Sequence, residues 1–221
     1  MHRSLLLAVA LAAVALTPAA AQMQVAPPAA AAQVTQPVML MGPARTQALD
    51  LANRSLNAMQ SLQGRFLQTS PGGRFSGAFY LQRPGKLRFE YDPPATMLIV
   101  SDGRVVAVRD RALRTTQRTP LRSTPLNFIL RGDIDLERDA HITRVVRQGD
   151  SLFVTARDRT GQANGELTMR LELPDAHLSS WEVIDATGAR TQIALTQVST
   201  PASIDRRLFR MDDMVEQSGH R

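Results

Sequence analysis

Regular alternation of apolar and polar side chains constrains this fold more than any other feature of the sequence. Residues 75–82 and 86–91 carry apolar side chains at nearly every second position, which is typical of half-buried antiparallel strands. Turn-forming pairs such as Pro84-Gly85 and Asp102-Gly103 separate the runs. Further strands are predicted at 64–70, 96–101, 104–109, 142–148, 151–157, 165–173, 177–185 and 189–198. The patterns therefore predict a mainly β (α+β) protein with one large antiparallel sheet.

Two segments have helical rather than strand patterns. From Thr46 onward the apolar residues recur every three or four positions, which places them on one helix face, and Gly64 is the expected helix stop. Alternation also fails between Arg111 and Leu130. There, Thr124 is the expected N-cap and Pro125 the first residue of a short apolar helix. We expect one helix before the sheet and one inserted within it.

The N-terminus has the organisation of a secretory signal peptide. Arg3 precedes twelve apolar residues, and Ala19-Ala20-Ala21 supplies a cleavage signal, so residues 1–21 are the predicted signal peptide. The segments that follow are an Ala/Pro-rich linker at 22–45, a folded body at 46–212 and a polar tail at 213–221. Export of a chain without cysteines suits the periplasm of a bacterium.

The residues give little sign of catalysis or of a bound metal. There is no cysteine nucleophile, no Gly-x-Ser-x-Gly turn, no His-Glu-x-x-His motif and no phosphate-binding glycine loop. The acidic series 133–139 resembles a calcium loop, but Arg138 occupies the position that requires glycine. We therefore predict a non-enzymatic protein with no catalytic residue, no metal and no cofactor.

One stretch is strongly basic in a chain whose formal net charge is +6. Six arginines and one acid, Asp110, lie between residues 104 and 122. The stretch lacks the aromatic residues that stack on bases, and the protein is exported, so nucleic acid is not an expected partner. The alternatives are a solvated face or docking to an acidic partner or to lipid headgroups. The candidate docking residues are Arg104, Arg109, Arg111, Arg114, Arg118 and Arg122.

The apolar face of the early strands is rich in aromatic residues and ends in a charge. Counting by twos from Phe79 and Leu81 places Arg83 on the same face, at the strand end. A buried unpaired charge costs several kcal/mol, on the order of 3–5 kcal/mol, so Arg83 must find oxygen partners or lie at an opening. An ordinary core beneath the helices is the alternative to a cavity.

At these residues the sequence resembles the LolA family of outer-membrane lipoprotein carriers. The matching motifs are Gly77-x-Phe79-x-Leu81-x-Arg83-Pro84, Leu87-Arg88-Phe89-x-Tyr91-x-x-Pro94, Leu98-Ile99-Val100-Ser101-Asp102-Gly103 and Thr124-Pro125-Leu126. The resemblance spans about residues 46–212. It departs from the family at Val105–Val108, where an aromatic residue is usual, and in its larger number of arginines.

The resemblance implies an unclosed antiparallel β-barrel, a half-barrel whose concave apolar face is lidded by helices. It implies a cavity for the acyl chains of lipoproteins, which are passed from an inner-membrane LolCDE-type ABC exporter to an outer-membrane LolB-type acceptor or to the membrane itself. Arg83 would bond to lid carbonyls and keep the empty cavity shut. The expected lid residues are Pro125, Leu126, Phe128, Ile129 and Leu130. The expected cavity lining is Leu56, Met59, Phe66, Phe79, Leu81, Leu87, Phe89, Tyr91, Leu98 and Val100.

Three other functions are compatible with these residues. A carrier that also inserts lipoproteins into the outer membrane would use the same fold. A LolA-like lipid-binding or envelope-sensing protein is a second alternative, and an enzyme on this fold is a third. We expect a monomer, since a shuttle must meet partners at two membranes.

Overall fold

The computed structural model describes residues 35–161 and 165–212. The predicted signal peptide, the first part of the predicted linker and the predicted tail from residue 213 lie outside these residues. The described residues form three α-helices, Gly42–Ala58 (α1), Asn127–Leu130 (α2) and Leu136–Asp139 (α3), with 3₁₀ turns at Leu121–Ser123 and Arg206–Phe209.

Most of the described residues belong to strands. They are Val38–Met39 (β1), Ser61–Ser70 (β2), Gly73–Gln82 (β3), Lys86–Tyr91 (β4), Met97–Asp102 (β5), Val105–Asp110 (β6), Thr115–Pro120 (β7), Ala140–Gln148 (β8), Ser151–Asp158 (β9), Glu166–Glu172 (β10), His177–Ile184 (β11) and Arg190–Ser199 (β12). Each predicted strand is present, with ends that differ by a few residues.

The described strands form one antiparallel sheet in the order β1-β8-β9-β10-β11-β12-β2-β3-β4-β5-β6-β7. Strands β12 and β2 join the two halves, through pairs such as Leu195 with Phe66. Strands β1 and β7 stand at the two edges, and no pairing between them is found among the described residues, so the sheet is not closed into a barrel. This confirms the predicted fold class, a mainly β half-barrel.

The sequence patterns missed the two edge strands. In β7 nearly every side chain is exposed, so the apolar alternation that reveals a strand is absent. Strand β1 has two residues and pairs with β8 through Val38–Arg147 and Met39–Val146. Since β1 and the start of α1 lie before residue 46, residues 38–45 of the predicted linker are part of the fold.

The expected start and stop of α1 both differ from the structure. The helix begins at Gly42, with Pro43 in its first turn, where proline is well tolerated, and ends at Ala58. Gly64 lies inside β2 and stops no helix. A Cβ atom there would approach the Thr196 and Gln197 carbonyl oxygens to 2.7 Å, so glycine allows β12 to approach β2 closely.

The predicted cap of the inserted helix is also wrong. The Thr124 hydroxyl donates to the Leu121 carbonyl oxygen at 2.8 Å and so closes the preceding 3₁₀ turn. The N-cap of α2 is Leu126, without a side-chain bond, so Pro125 precedes the helix. Short i→i+3 bonds before Asn127 explain the shift: Asn127 N–H donates to the Thr124 carbonyl oxygen at 3.1 Å.

Candidate functional site

One face of the sheet carries a continuous apolar surface covered by the helices. Phe66, Phe79, Leu81 and Leu87 are about 1% exposed, and Phe89 and Tyr91 are also buried. They belong to the main core cluster, with Leu56 in it and Met59 packed against it. The structure thus brings together eight of the ten residues predicted to line a cavity.

The aromatic residues of this face pack mostly edge to face. The Phe66 ring centroid lies 4.6 Å from that of Phe89 and 5.0 Å from that of Tyr91. The ring centroid of Trp181, on β11, lies 6.2 Å from that of Phe89. Such contacts are favourable beyond their buried area, so the face is well packed where the helices cover it.

Leu98 and Val100, also predicted to line the cavity, lie on the opposite face. The β4–β5 register pairs Phe89 with Ile99, so Ile99 shares the face of Phe89, and Leu98 and Val100 point the other way. They form a separate cluster with Ala107, against which Met211 packs. Strand β5 is apolar at every position from Met97 to Val100, so alternation could not indicate which residues face the helices.

Helix α1 and the short helix α2 cover the apolar face. The buried residues of α1 are Leu49, Ala52 and Leu56, as the helical spacing predicts. In α2, Phe128, Ile129 and Leu130 are buried, and Leu126 packs against the same cluster while Pro125 stays partly exposed. The Leu130 carbonyl oxygen accepts from Gly85 N–H at 2.7 Å, which ties the end of α2 to the β3–β4 turn.

Arg83 is buried at the point where α1 and the segment after α2 meet. Its guanidinium donates to the Arg131 carbonyl oxygen through Nε at 2.8 Å and through Nη2 at 2.5 Å, and to that of Gly132 at 3.2 Å. On the α1 side it donates to the Leu56 and Met59 carbonyl oxygens. Arg83 thus points inward and bridges the C-terminal end of α1 to the residues that follow α2.

Arg83 is a buried cation whose N–H groups have hydrogen-bond acceptors. Burial lowers the pKa of its guanidinium, and Asp133 opposes this change. The ordinary arginine pKa is so high that the side chain remains charged near neutral pH. Each charge-assisted hydrogen bond contributes about 1.5–3 kcal/mol, and part of this offsets the cost of burying the guanidinium.

Sequence reasoning missed Asn57, which supports the same junction. Its Oδ1 accepts from Arg83 Nη2 at 3.2 Å and from Ile134 N–H at 2.9 Å, while its Nδ2 donates to the Ile134 carbonyl oxygen at 2.7 Å. Asn53, one turn earlier, accepts from Leu136 N–H at 3.0 Å. The i, i+4 spacing of the two asparagines on α1 indicates bonding to a neighbouring loop only when the helix is already known to face that loop.

A partly open apolar groove adjoins the end of α1. Its volume is about 390 Å³, and strands β2, β11 and β12 complete its wall. The residues that line it include Leu56, Met59, Leu62, Leu178 and Leu195. The covered face therefore continues into an accessible apolar space beside the Arg83 junction.

Neither a metal site nor a spanning helix is found in the part of the chain that the structure describes. Within residues 35–161 and 165–212, no three His, Asp or Glu side chains are grouped as metal ligands would be. The helices of these residues are also too short or too polar to cross a bilayer.

Comparison with known proteins identifies the family. The family model described as outer membrane lipoprotein carrier protein LolA matches residues 57–212. The chain belongs to the LolA family. It is 29% identical over 178 residues to an outer-membrane lipoprotein carrier protein of Chromobacterium violaceum, with 77% of this chain and 85% of the relative covered. A carrier of Pseudomonas syringae is 30% identical over 183 residues, with 76% and 86% covered.

One match among solved structures has low sequence identity. A LolA superfamily protein from Nitrosomonas europaea aligns with a TM-score of 0.46 at 11% sequence identity, over 77% of this chain and 98% of that one. The match of the family model to residues 57–212 confirms the resemblance read from the sequence motifs.

The six arginines of this LolA-family chain do not form one patch. Arg109 and Arg118 lie on the face of Ala107, as the β6–β7 register shows. Arg111 and Arg114 lie in the β6–β7 turn, whereas Arg104 and Arg122 lie at the opposite end of these strands and line a shallow polar pocket. The sequence cluster is divided because a hairpin places successive residues at different ends and faces.

Proposed function

We propose that this chain is a periplasmic chaperone that binds lipoprotein acyl chains on the covered apolar face and carries them from the inner to the outer membrane. The observation that carries this proposal is the buried Arg83 guanidinium, which joins the two segments that cover that face. A reversible cover over a large apolar surface is what a lipid carrier requires. The names of the relatives described above agree with this function.

The energetics of the cargo require such a surface. An acyl chain of about fifteen methylenes, at about 0.8 kcal/mol each, resists transfer to water by about 12 kcal/mol. The apolar face offers a comparable environment, and exposed apolar patches of that size would otherwise promote aggregation. A cover that closes when the cargo leaves keeps the empty carrier monomeric.

The Arg83 junction can open without unfolding the sheet. Its bonds run to carbonyls at the ends of α1 and α2 rather than to the sheet itself. Breaking them exposes the apolar face beside the groove at Leu56 and Met59. Acyl chains entering there would replace the helix contacts with contacts of similar apolarity.

The proposed partners follow from this route. Cargo would arrive from a LolCDE-type ABC exporter and leave to a LolB-type acceptor or to the outer membrane. This chain needs no catalytic residue of its own, since transfer follows the difference in affinity between donor and acceptor. We therefore propose a monomeric carrier rather than an enzyme.

Copurification tests the proposal. The chain is coexpressed with a triacylated lipoprotein, and the soluble periplasmic complex is isolated and analysed by mass spectrometry. We expect intact acylated protein bound to the carrier. Recovery of the chain without any acylated protein, or with a chemically converted small molecule, would contradict the proposal.

The substitution Arg83→Ala tests the latch within the same experiment. Losing the bonds to the Arg131 and Leu56 carbonyls favours the open form, so we expect more cargo retained per carrier and slower release to acceptor membranes. Arg74→Ala, which removes an exposed arginine from strand β3, is the matched control. Unchanged retention in a folded Arg83→Ala protein would show that Arg83 is not a latch.

A further inference from the structure

The β6–β7 turn presents an exposed leucine between two arginines. Leu113 is 71% exposed, the highest value for a leucine among the described residues, and Arg111 and Arg114 flank it in the same exposed turn. Strand β7 is an edge strand whose side chains are also largely exposed. Residues 111–114, which we call the hairpin tip, are therefore an exposed turn at the edge of the sheet.

The arginines of the hairpin tip differ from those on much of the remaining surface. Arg157, Arg170 and Arg190 pair with glutamates at 2.7–2.8 Å on the outer surface of β9–β12. The Arg111 and Arg114 side chains have no such partner among the residues that the structure describes. Their charge is therefore available to an external anion.

Asp110, the acid at the start of the turn, is used to build it. Asp110 Oδ1 accepts from the N–H groups of Ala112 and Leu113 at 2.9 and 3.2 Å, and from the Thr96 hydroxyl at 2.8 Å. These bonds, led by that of Thr96, lower the pKa of Asp110. They also hold the backbone so that Leu113 points to solvent.

We propose that the hairpin tip docks this protein on a bilayer surface that contains anionic phospholipid. Leu113 enters the headgroup region while Arg111 and Arg114 contact lipid phosphates. Apolar insertion combined with basic residues is the pairing that holds proteins reversibly at such surfaces. One leucine and two arginines give a weak contact, which suits a protein that must leave the membrane again.

The position of the tip separates this proposal from cargo binding. Strand pairing places the tip beside the β4–β5 turn, where Arg111 N–H donates to the Thr96 carbonyl oxygen at 3.1 Å. Arg83 lies at the other end of the sheet strands, in the β3–β4 turn. Substitutions in the tip therefore leave the latch and the apolar face intact.

Vesicle flotation tests the docking. The full chain after removal of residues 1–21, without cargo, is mixed with vesicles of phosphatidylcholine and phosphatidylglycerol or of phosphatidylcholine alone. We expect binding to the anionic vesicles that weakens as salt rises from about 0.05 M to about 0.5 M, since screening shortens the reach of exposed charges. Leu113→Ser should lower the partition coefficient about tenfold. The double substitution Arg111→Gln with Arg114→Asn should lower the partition coefficient by more than tenfold, because each arginine contributes about fivefold.

Matched controls define the result. Arg54→Gln with Arg206→Gln removes two exposed arginines elsewhere, and Leu67→Ser removes another exposed leucine. Both should bind like the unsubstituted chain. Equal losses in tip and control variants would overturn the proposal, as would equal binding to neutral vesicles. Absence of binding at low salt would also overturn it and would leave an acidic protein as the partner that fits the tip. Cargo copurification is unaffected by these outcomes, so the two proposals fail separately.

Discussion

At the residue scale, two buried arginines, Arg83 in the β3–β4 turn and Arg88 on β4, hold segments over opposite faces of one sheet. Arg83 donates to carbonyls beside α1 and α2 on the helix-covered face. Arg88 donates to Glu90 at 2.6 Å and to the Leu208 carbonyl oxygen at 3.0 Å, and so holds the C-terminal segment over the other face. Arginine suits both places because its planar guanidinium can satisfy several acceptors at once.

Tyr91 provides a residue-scale test, through the dependence of stability on pH. Burial raises its pKa to about 12, and its hydroxyl donates to Gln68 Oε1 at 2.5 Å. The folded state thus keeps the proton above pH 10, where the unfolded chain loses it. The stability contributed by neutral Tyr91 is complete below about pH 10 and is lost as pH rises towards 12, at about 1.4 kcal/mol per pH unit.

The substitution Tyr91→Phe should remove this alkaline loss. Urea unfolding at pH 9 and near pH 11.5 would show a decrease in the free energy of unfolding that is about 2 kcal/mol smaller in the variant than in the unsubstituted chain. Tyr80, the other tyrosine, is present in both proteins and serves as the internal reference. Identical alkaline losses in the two proteins would mean that Tyr91 ionises normally.

At the scale of elements, the β2–β3–β4 ribbon depends on one glycine. Gly77 pairs with Phe66 and with Tyr91, and the Phe66 ring lies over it. A Cβ atom at position 77 would meet the Glu90 carbonyl oxygen at 2.0 Å and Phe66 Cε1 at 2.6 Å. Close approach of backbone and ring, rather than a special turn, therefore requires glycine here.

The substitution Gly77→Ala should accordingly destabilise the protein. Relieving these contacts must move Phe66 or strand β4, at about 2 kcal/mol or more, which corresponds to a melting temperature lower by about 5 °C. Gly72→Ala is the control, since the nearest atom to a Cβ there is Ser70 Oγ at 3.8 Å. Thermal unfolding measures both, and equal melting temperatures would refute the packing argument.

At the scale of the whole molecule, the proposed transport needs the helices to move while the sheet stays paired. Arg45 of α1 contacts Glu137 of α3 at 2.6 Å on the surface, so cysteines at these positions can be crosslinked in a chain that has no other cysteine. Such surface ion pairs contribute only about 0–1 kcal/mol, and their loss should leave the fold intact.

Crosslinking Arg45→Cys to Glu137→Cys with a short bismaleimide should block cargo uptake. Without crosslinker the same variant should bind cargo normally. The matched control is Arg190→Cys with Glu182→Cys, which joins paired strands whose separation is not needed. Full uptake by the 45–137 crosslinked protein, measured by copurified lipoprotein, would show that α1 and α3 need not separate.

The sequence by itself determined ten of the twelve described strands and the main helix face, because buried positions repeat with the period of the element that holds them. Its motifs also indicated the family. The sequence also located Arg83 and most of the covered face. Side-chain alternation could not reveal the exposed strand β7, the face of the uniformly apolar β5 or the role of Gly64. These three features depend on which strand pairs with β7, with β5 and with the strand that contains Gly64.

Tertiary structure alone decided the partners of each polar group. Asn57 and the carbonyls of Arg131 and Gly132 are distant from Arg83 in sequence and meet it only because α1 and the segment after α2 cross the same strand end. The six clustered arginines were separated by the same folding, and Leu113 was left exposed between two of them. Hydrogen bonds and exposure are properties of three-dimensional proximity, which residue periodicity does not encode.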